Sequence, residues 1–278
     1  MRPKHDLDHI RHEPGHVLAP GLFKSLRKGD YKRLKLDVFY EFGKGERLEF
    51  GGKEPLGVPE LRVLQGLIAM AGPEGLLLSP EPKTESGQQL RLLLETKFDA
   101  VQANALVAKG SFRALAKAIG YADVENTKGI QESIERLWGV SVIAQKNGKR
   151  MGFRLLASYS SDDEGDGRLH VALNPRIAQA VLGEAQHCRI SMDEVRALKA
   201  DPTRLIHQRL CGWINAGKSG KTTIETLSGY AWPGDASPSA MRQRRVSVRK
   251  SLSELKDLNW IITEYVRGKF EISRPSFG

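Results

Sequence analysis

Arg242, Arg244, Arg245, Arg249 and Lys250 lie within one nine-residue span, and no Asp or Glu interrupts the chain from Ala236 to Ser253. Guanidinium groups donate paired hydrogen bonds to phosphate oxygens and to guanine O6 and N7, and a glutamine such as Gln243 pairs with adenine in the same groove. A surface that meets a polyanion needs the absence of carboxylates as much as it needs the cations. Ser237-Pro238 is an N-cap followed by proline at the first helical position, and a helix running to about residue 257 follows from it. Met241, Val248, Leu252 and Leu255 form its apolar stripe. With Val248 inward, a step of about 100° per residue turns Ser239, Arg242, Gln243, Val246, Arg249 and Lys250 outward. These six are the candidates for reading bases. Arg244 and Arg245 fall on the flanks, placed for phosphates.

A helix that reads the major groove needs a second helix to cross the backbone, and a hairpin beside it can grip the neighbouring strand. Amphipathic segments over 203–214 and 223–227 precede the basic helix. Strands over 260–265 and 270–272 follow it, turning at Arg267-Gly268-Lys269, and Arg267 and Lys269 are phosphate candidates, joined by Lys218 and Lys221 from the loop before residue 222. The same order occurs earlier. Ser111 caps a helix ending at Gly120. A second helix spans 127–138, with Ile130, Ile134, Leu137 and Trp138 inward. Strands over 140–145 and 151–156 flank the hairpin signal Asn147-Gly148, whose tip carries Lys146, Lys149 and Arg150. Lys128, Gln131, Glu132 and Arg136 are the first unit's base-reading candidates. Glu132 and Glu135 weaken that reading, and the alternative is a helix that packs and meets DNA through phosphates only.

The fold class is therefore α+β, with two tandem winged-helix domains over 34–185 and 186–278, joined by a semi-rigid linker and preceded by a flexible arm over 1–33 with a short helix around 20–28. Alternation of Leu34, Leu36, Val38, Tyr40 and Phe42 predicts a strand that pairs with 47–50. A helix over 58–71, a loop over 80–87, strands over 90–94 and 101–109, an acidic loop over 162–166, a strand over 169–173 and helices over 175–182 and 192–198 complete the reading. Strands 34–50 and 101–109 serve either a dimer interface or as cover for the core.

Other residue sets carry less. Gly212 to Ser219 has the glycine and Lys-Ser spacing of a phosphate-binding loop, but helical period precedes it where a buried strand is required, and no helix start follows. It reads as a basic loop. His5, His9, His12 and His16 have helical spacing, yet Pro14 interrupts it, so no metal is expected. Two cysteines, Cys188 and Cys211, make no disulfide framework. The four tryptophans read as core. A net charge of +10 favours a polyanionic partner. No apolar run approaches the roughly 20 residues of a membrane span, and no secretory leader opens the chain, so a cytoplasmic protein without cofactor or catalytic activity is expected.

The sequence resembles the RepC-type replication initiators of IncQ-like broad-host-range plasmids along nearly its whole length. The resemblance is carried by Leu18 to Phe23, Leu64 to Leu67, Met70 to Pro73, Lys109 to Ser111, Arg113 to Lys117, Ile134 to Trp138, Val171 to Pro175, Ile190 to Leu198 and, most distinctively, His207-Gln208-Arg209-Leu210-Cys211-Gly212-Trp213-Ile214. It implies binding to directly repeated duplex sites, iterons, at a plasmid origin. It also implies opening of an adjacent A+T-rich region, where a plasmid-encoded helicase and primase act. Iteron sequences differ between plasmids, so the base read by Arg242 or Arg249 does not carry over. Two winged helices would occupy successive major grooves, with half-sites about 34 Å apart. The alternative is a winged-helix transcriptional repressor. A third class, an ATP-dependent enzyme using Lys218, would need the phosphate-binding loop rejected above.

Overall fold

The computed structural model describes residues 9–43, 45–74, 76–78, 88, 105–124, 127–161 and 168–277. The predicted loop over 80–87, the strand over 90–94 and the acidic loop over 162–166 lie outside the described residues, as does the start of the strand predicted over 101–109. The fold is mixed α+β. In chain order the described elements are β1 (His9–His12), α1 (Pro14–Leu18), α2 (Asp30–Arg33), β2 (Leu36–Phe42), β3 (Glu46–Gly52), α3 (Val58–Glu74), β4 (Leu76–Leu78), β5 (Ala105–Ser111), α4 (Phe112–Ala118), α5 (Thr127–Trp138), β6 (Ser141–Lys146), β7 (Lys149–Arg154), β8 (Leu156–Ser161), β9 (Arg168–Leu173), α6 (Pro175–Leu182), β10 (Cys188–Ser191), α7 (Met192–Ala197), α8 (Asp201–Trp213), β11 (Ser219–Thr223), α9 (Ile224–Ala231), α10 (Pro238–Lys256), β12 (Ile261–Val266) and β13 (Lys269–Ser273).

Four antiparallel sheets organise these elements, with strand orders β2-β3-β6-β7, β4-β5-β9-β8, β11-β13-β12 and β1-β10. The β6–β7 hairpin forms at Asn147-Gly148, where both residues have positive φ, 50° and 77°, as a two-residue turn matched to strand twist requires. Side chains decide the helix starts. Ser111, Asn174, Ser191, Thr223 and Ser237 each accept a backbone N–H from the first turn of the helix they precede. One continuous core runs from Leu48, Phe50 and Leu64 through Ile134 and Val142 to Leu210, Val248 and Trp260.

Residues 9–33 are not the arm their polar composition predicts. β1 pairs antiparallel with β10, His9 opposite Ser191 and His12 opposite Cys188. Ile10, His12, His16, Val17 and Leu22 are buried. The short helix expected around 20–28 is replaced by α1 and α2, and Phe23 forms a bridge to Leu56. This N-terminal strap therefore staples the front of the chain to the back. A second tie is the buried hydrogen bond from Gln65 Nε2 on α3 to Gln208 Oε1 on α8, 2.9 Å. The halves are thus joined by paired strands and packed helices in addition to the chain between them.

Two further readings are corrected. β4, β8, β10 and β11 are strands the sequence pattern does not reveal. Trp138 and Trp213 are 38 % and 44 % exposed, while Trp260 is buried, so the tryptophans are not uniformly core. The described residues contain no helix long and apolar enough to cross a membrane.

Candidate nucleic-acid interface

The C-terminal unit is three helices, α8, α9 and α10, packed against the sheet β11-β13-β12. Buried Val248, Ser251, Leu252 and Leu255 seat α10 on this base. All six residues that helical periodicity turns outward are exposed: Ser239, Arg242, Gln243, Val246, Arg249 and Lys250. Val246 is an exposed apolar side chain on a cationic face, suited to a thymine methyl.

The cations on this face have different neighbours. Arg242 makes no ion pair among the described residues. Arg249 donates from Nη1 and Nη2 to the two oxygens of Glu264 on β12, 2.8 Å each. The Arg249 guanidinium and the Gly268 N–H together pull the Glu264 carboxyl down to about 2. Arg245 pairs with Glu225 on α9 at 2.9 Å. Arg244 is half-buried and donates to the carbonyls of Trp232 (3.3 Å) and Gly234 (3.2 Å). Through Nη1, Arg244 ties the loop before α10 to the helix, where two backbone carbonyls need a donor.

Arg267 and Lys269 stand exposed at the β12–β13 turn, where Gly268 has φ 77°. Lys221 on β11 lies exposed beside it, its Nζ 5.4 Å from the Tyr265 ring. Lys218 is exposed in the turn between α8 and β11, whose backbone is held by Lys218 N–H to Asn215 O (3.0 Å) and Arg274 N–H to Lys218 O (2.9 Å). The stretch with phosphate-loop spacing thus starts in the last turn of a helix and ends in a strand, the reverse of the order such a loop requires. Gln208 and Arg209 both have packing roles: Gln208 accepts from Gln65, and Arg209 lies over the Tyr230 ring at 4.8 Å.

The first unit places its candidates differently. On α5 only Lys128 is exposed among the four, with Gln131, Glu132 and Arg136 half-buried. Gln131 donates to Glu135 at 3.4 Å. Arg136 is not available to a base. Its Nε donates to Glu54 (2.8 Å), Nη1 to Glu60 (3.1 Å) and Nη2 to Glu132 (3.2 Å), and the group lies over the Tyr31 ring. Glu60 is fully buried and also accepts from Tyr31 Oη, the Gly57 N–H and Ser133 Oγ. A buried carboxylate demands a cation, and Arg136 supplies it. The base-reading role of Arg136 is corrected on that ground, while Glu132 meets only Arg136 and stays half-exposed. At the β6–β7 tip, Lys146 pairs with Glu46 (2.5 Å) and Arg150 with Glu49 (3.1 Å), while Lys149 is exposed.

Sequence periodicity did not reveal the buried titratable clusters. Glu194, His207 and Cys211 offer three ligand atoms within 4.8 Å of one another. His207 Nε2 meets Glu194 Oε2 at 2.7 Å and Cys211 Sγ at 3.4 Å, and Trp260 Nε1 donates to the other carboxylate oxygen. Burial opposes protonation of His207, but Cys211 and Glu194 outweigh it and raise the imidazole to about 10. These residues could hold a borderline cation such as zinc only after losing the proton on Nε2. The cluster ties α7 and α8 to the start of β12.

The family model for Replication protein C (RepC) matches residues 4–276. No curated protein sequence matches the chain. Among solved structures, the crystal structure of domains 2 and 3 of RctB is similar over 94 % of this chain and 98 % of that one, with a TM-score of 0.57 and 9 % identity. Similarity at that identity is similarity of fold alone. The family match spans nearly the whole chain, interface and N-terminal strap included, and the chain belongs to the Replication protein C (RepC) family.

Proposed function

We propose that this chain is a replication initiator that binds duplex DNA in a sequence-specific way through two winged-helix units. The C-terminal unit is the reader and the N-terminal unit a contributor of backbone contacts. The observation that carries this is α10: nineteen residues, seated by Val248 and Leu252, with an exposed acid-free face beside a hairpin tipped by Arg267 and Lys269. The order α8, β11, α9, α10, β12, β13, with the hairpin completing the sheet, supports a winged helix. In this reading the duplex sites are iterons, and binding to tandem copies bends the origin until an adjacent A+T-rich segment opens for helicase and primase.

The test is a footprint on the origin of the replicon that carries the gene, with permanganate reactivity of the A+T-rich segment read in parallel. A footprint with reactive thymines supports initiation. A footprint at a promoter with no reactive thymines would point to repression instead. Arg242→Ala is expected to weaken specific binding by about 1–3 kcal/mol, as for a side chain paired bidentately with a base. An equal loss on unrelated duplex would make Arg242 a phosphate contact. Lys269→Ala and Lys149→Ala should weaken binding to every sequence, and each should lower the slope of log K against log salt by about 0.9. An unchanged slope would remove the hairpins from the interface.

A further inference from the structure

Arg249 differs from Arg242 in having a carboxylate partner inside the proposed interface. Glu264 stands on β12, fifteen residues away in sequence, and its two oxygens take the two ends of the Arg249 guanidinium at 2.8 Å each. The Gly268 N–H donates to the same carboxylate at 2.6 Å, so hairpin turn, carboxylate and guanidinium form one unit. Phe270, opposite Glu264 in the β12–β13 register, places its ring 5.7 Å from the guanidinium carbon.

Stability does not account for this arrangement. The pair is exposed, with side chains 47 % and 32 % accessible, and exposed ion pairs contribute little to folding. A negative charge on a surface that meets phosphates also weakens binding to every DNA. What the pair does supply is geometry. A guanidinium has five N–H donors in a rigid plane. Glu264 occupies one on each Nη and leaves Nε–H with its neighbouring Nη–H, a parallel pair of the kind that meets guanine O6 and N7. The end-on grip also stops the long side chain from swinging to the nearest phosphate.

We propose that Glu264 determines specificity through Arg249, holding the guanidinium so that its remaining donor edge presents to a base and charging an electrostatic penalty to any duplex that offers no base partner there. Glu264 is a positioning residue, since it acts on DNA only through Arg249. The inference rests on the DNA-reading role of α10.

The test uses the full chain and two duplexes: one recovered by the wild-type protein from a randomised pool, and a scramble of it. Binding is measured across a salt series for wild type, Glu264→Gln, Arg249→Ala and the double variant. Glutamine keeps an acceptor for Gly268 and removes the charge, and an unchanged melting temperature confirms the fold. Glu264→Gln is expected to tighten binding to the scramble about 3- to 10-fold and to raise its salt slope by about 0.9, as Arg249 moves to a phosphate. The ratio of selected to scrambled affinity should fall about tenfold, and with Arg249 already alanine the second change should leave that ratio where it is. Reselection with Glu264→Gln should relax the same base position as reselection with Arg249→Ala. A specificity ratio unchanged in Glu264→Gln, or lowered equally without Arg249, overturns the proposal. If wild type recovers no duplex, the DNA-reading role falls and this inference with it. If Arg242→Ala loses the selected duplex while Glu264→Gln keeps the ratio, only the role of Glu264 falls.

Discussion

Replacing Arg136 by alanine is expected to destabilise the protein by about 3 kcal/mol, read as a lower urea midpoint with unchanged slope. The figure follows from Glu60. Its carboxylate is fully buried on α3 and has one cationic partner among the described residues, Arg136 at 3.1 Å. Breaking a buried pair costs about 3–5 kcal/mol because the remaining charge is left uncompensated. Tyr31, Gly57 and Ser133 still donate to Glu60, which places the loss at the lower end. Glu132→Gln removes only a half-exposed partner at 3.2 Å and should cost under about 0.5 kcal/mol. Arg136→Lys keeps a charge but cannot reach Glu54, Glu60 and Glu132 with separate nitrogens, so it should fall between. A variant Arg136→Ala that kept wild-type stability but lost specific DNA binding would restore the base-reading role.

Arg136 and Arg242 show why some of the interface is legible in sequence and some is not. Both occupy the outward arc of an amphipathic helix by period alone. For α10 everything needed is local: the Ser237 cap, Pro238, the stripe through Val248 and Leu252, and the absence of acids. The six outward positions are accordingly exposed in the structure. For α5 the deciding partners, Glu54 and Glu60, lie 82 and 76 residues away, and nothing in the helix announces them. Arg249 and Arg244 repeat the lesson at shorter range, through Glu264 and through the carbonyls of Trp232 and Gly234.

The strands divide the same way. The β6–β7 hairpin is readable from Asn147-Gly148, because two positive φ values are a local demand. β11 is Ser-Gly-Lys-Thr-Thr, polar and glycine-bearing, and is a strand only because β13 lies beside it. β1 has the same origin. Its histidines suggest solvent, and pairing with β10 buries His12 and leaves His9 half-buried. That pairing bears on DNA as well. With β1 on β10 and Gln65 on Gln208, the two halves meet through packed structure; under the proposed function, a half-site spacing altered by half a helical turn, about 5 base pairs, would put the half-sites on opposite faces of the duplex, where the joined units could not engage both.

Acid should loosen the N-terminal strap before it affects the rest of the fold, and His12 is the reason. The ring is completely buried, and neither nitrogen meets a hydrogen-bond partner among the described residues. Burial, reinforced by His16 nearby, lowers its pKa to about 3 from an unfolded value of 6.5. Between those values the unfolded chain binds a proton that the native state refuses, so stability falls with pH by up to about 1.4 kcal/mol per unit. Two other buried groups titrate outside the upper part of this range. Glu13 is buried, which alone would raise its carboxyl, but His16 and Arg176 outweigh burial and lower it, so its contribution is also lost in acid, beginning only near its unfolded value of 4.5. His207 has the opposite sign: its raised pKa gives stability that is complete below 6.5 and lost as pH rises toward about 10. The window from 6.5 down to 4.5 therefore isolates His12 from both. His12→Leu fills the same site without a titrating group. Its melting temperature should stay level across that window while the wild type falls, and below pH 4.5 both should decline, the wild type more steeply until about pH 3. Parallel loss in the two proteins from pH 6.5 downward would show that the strap titrates through another group.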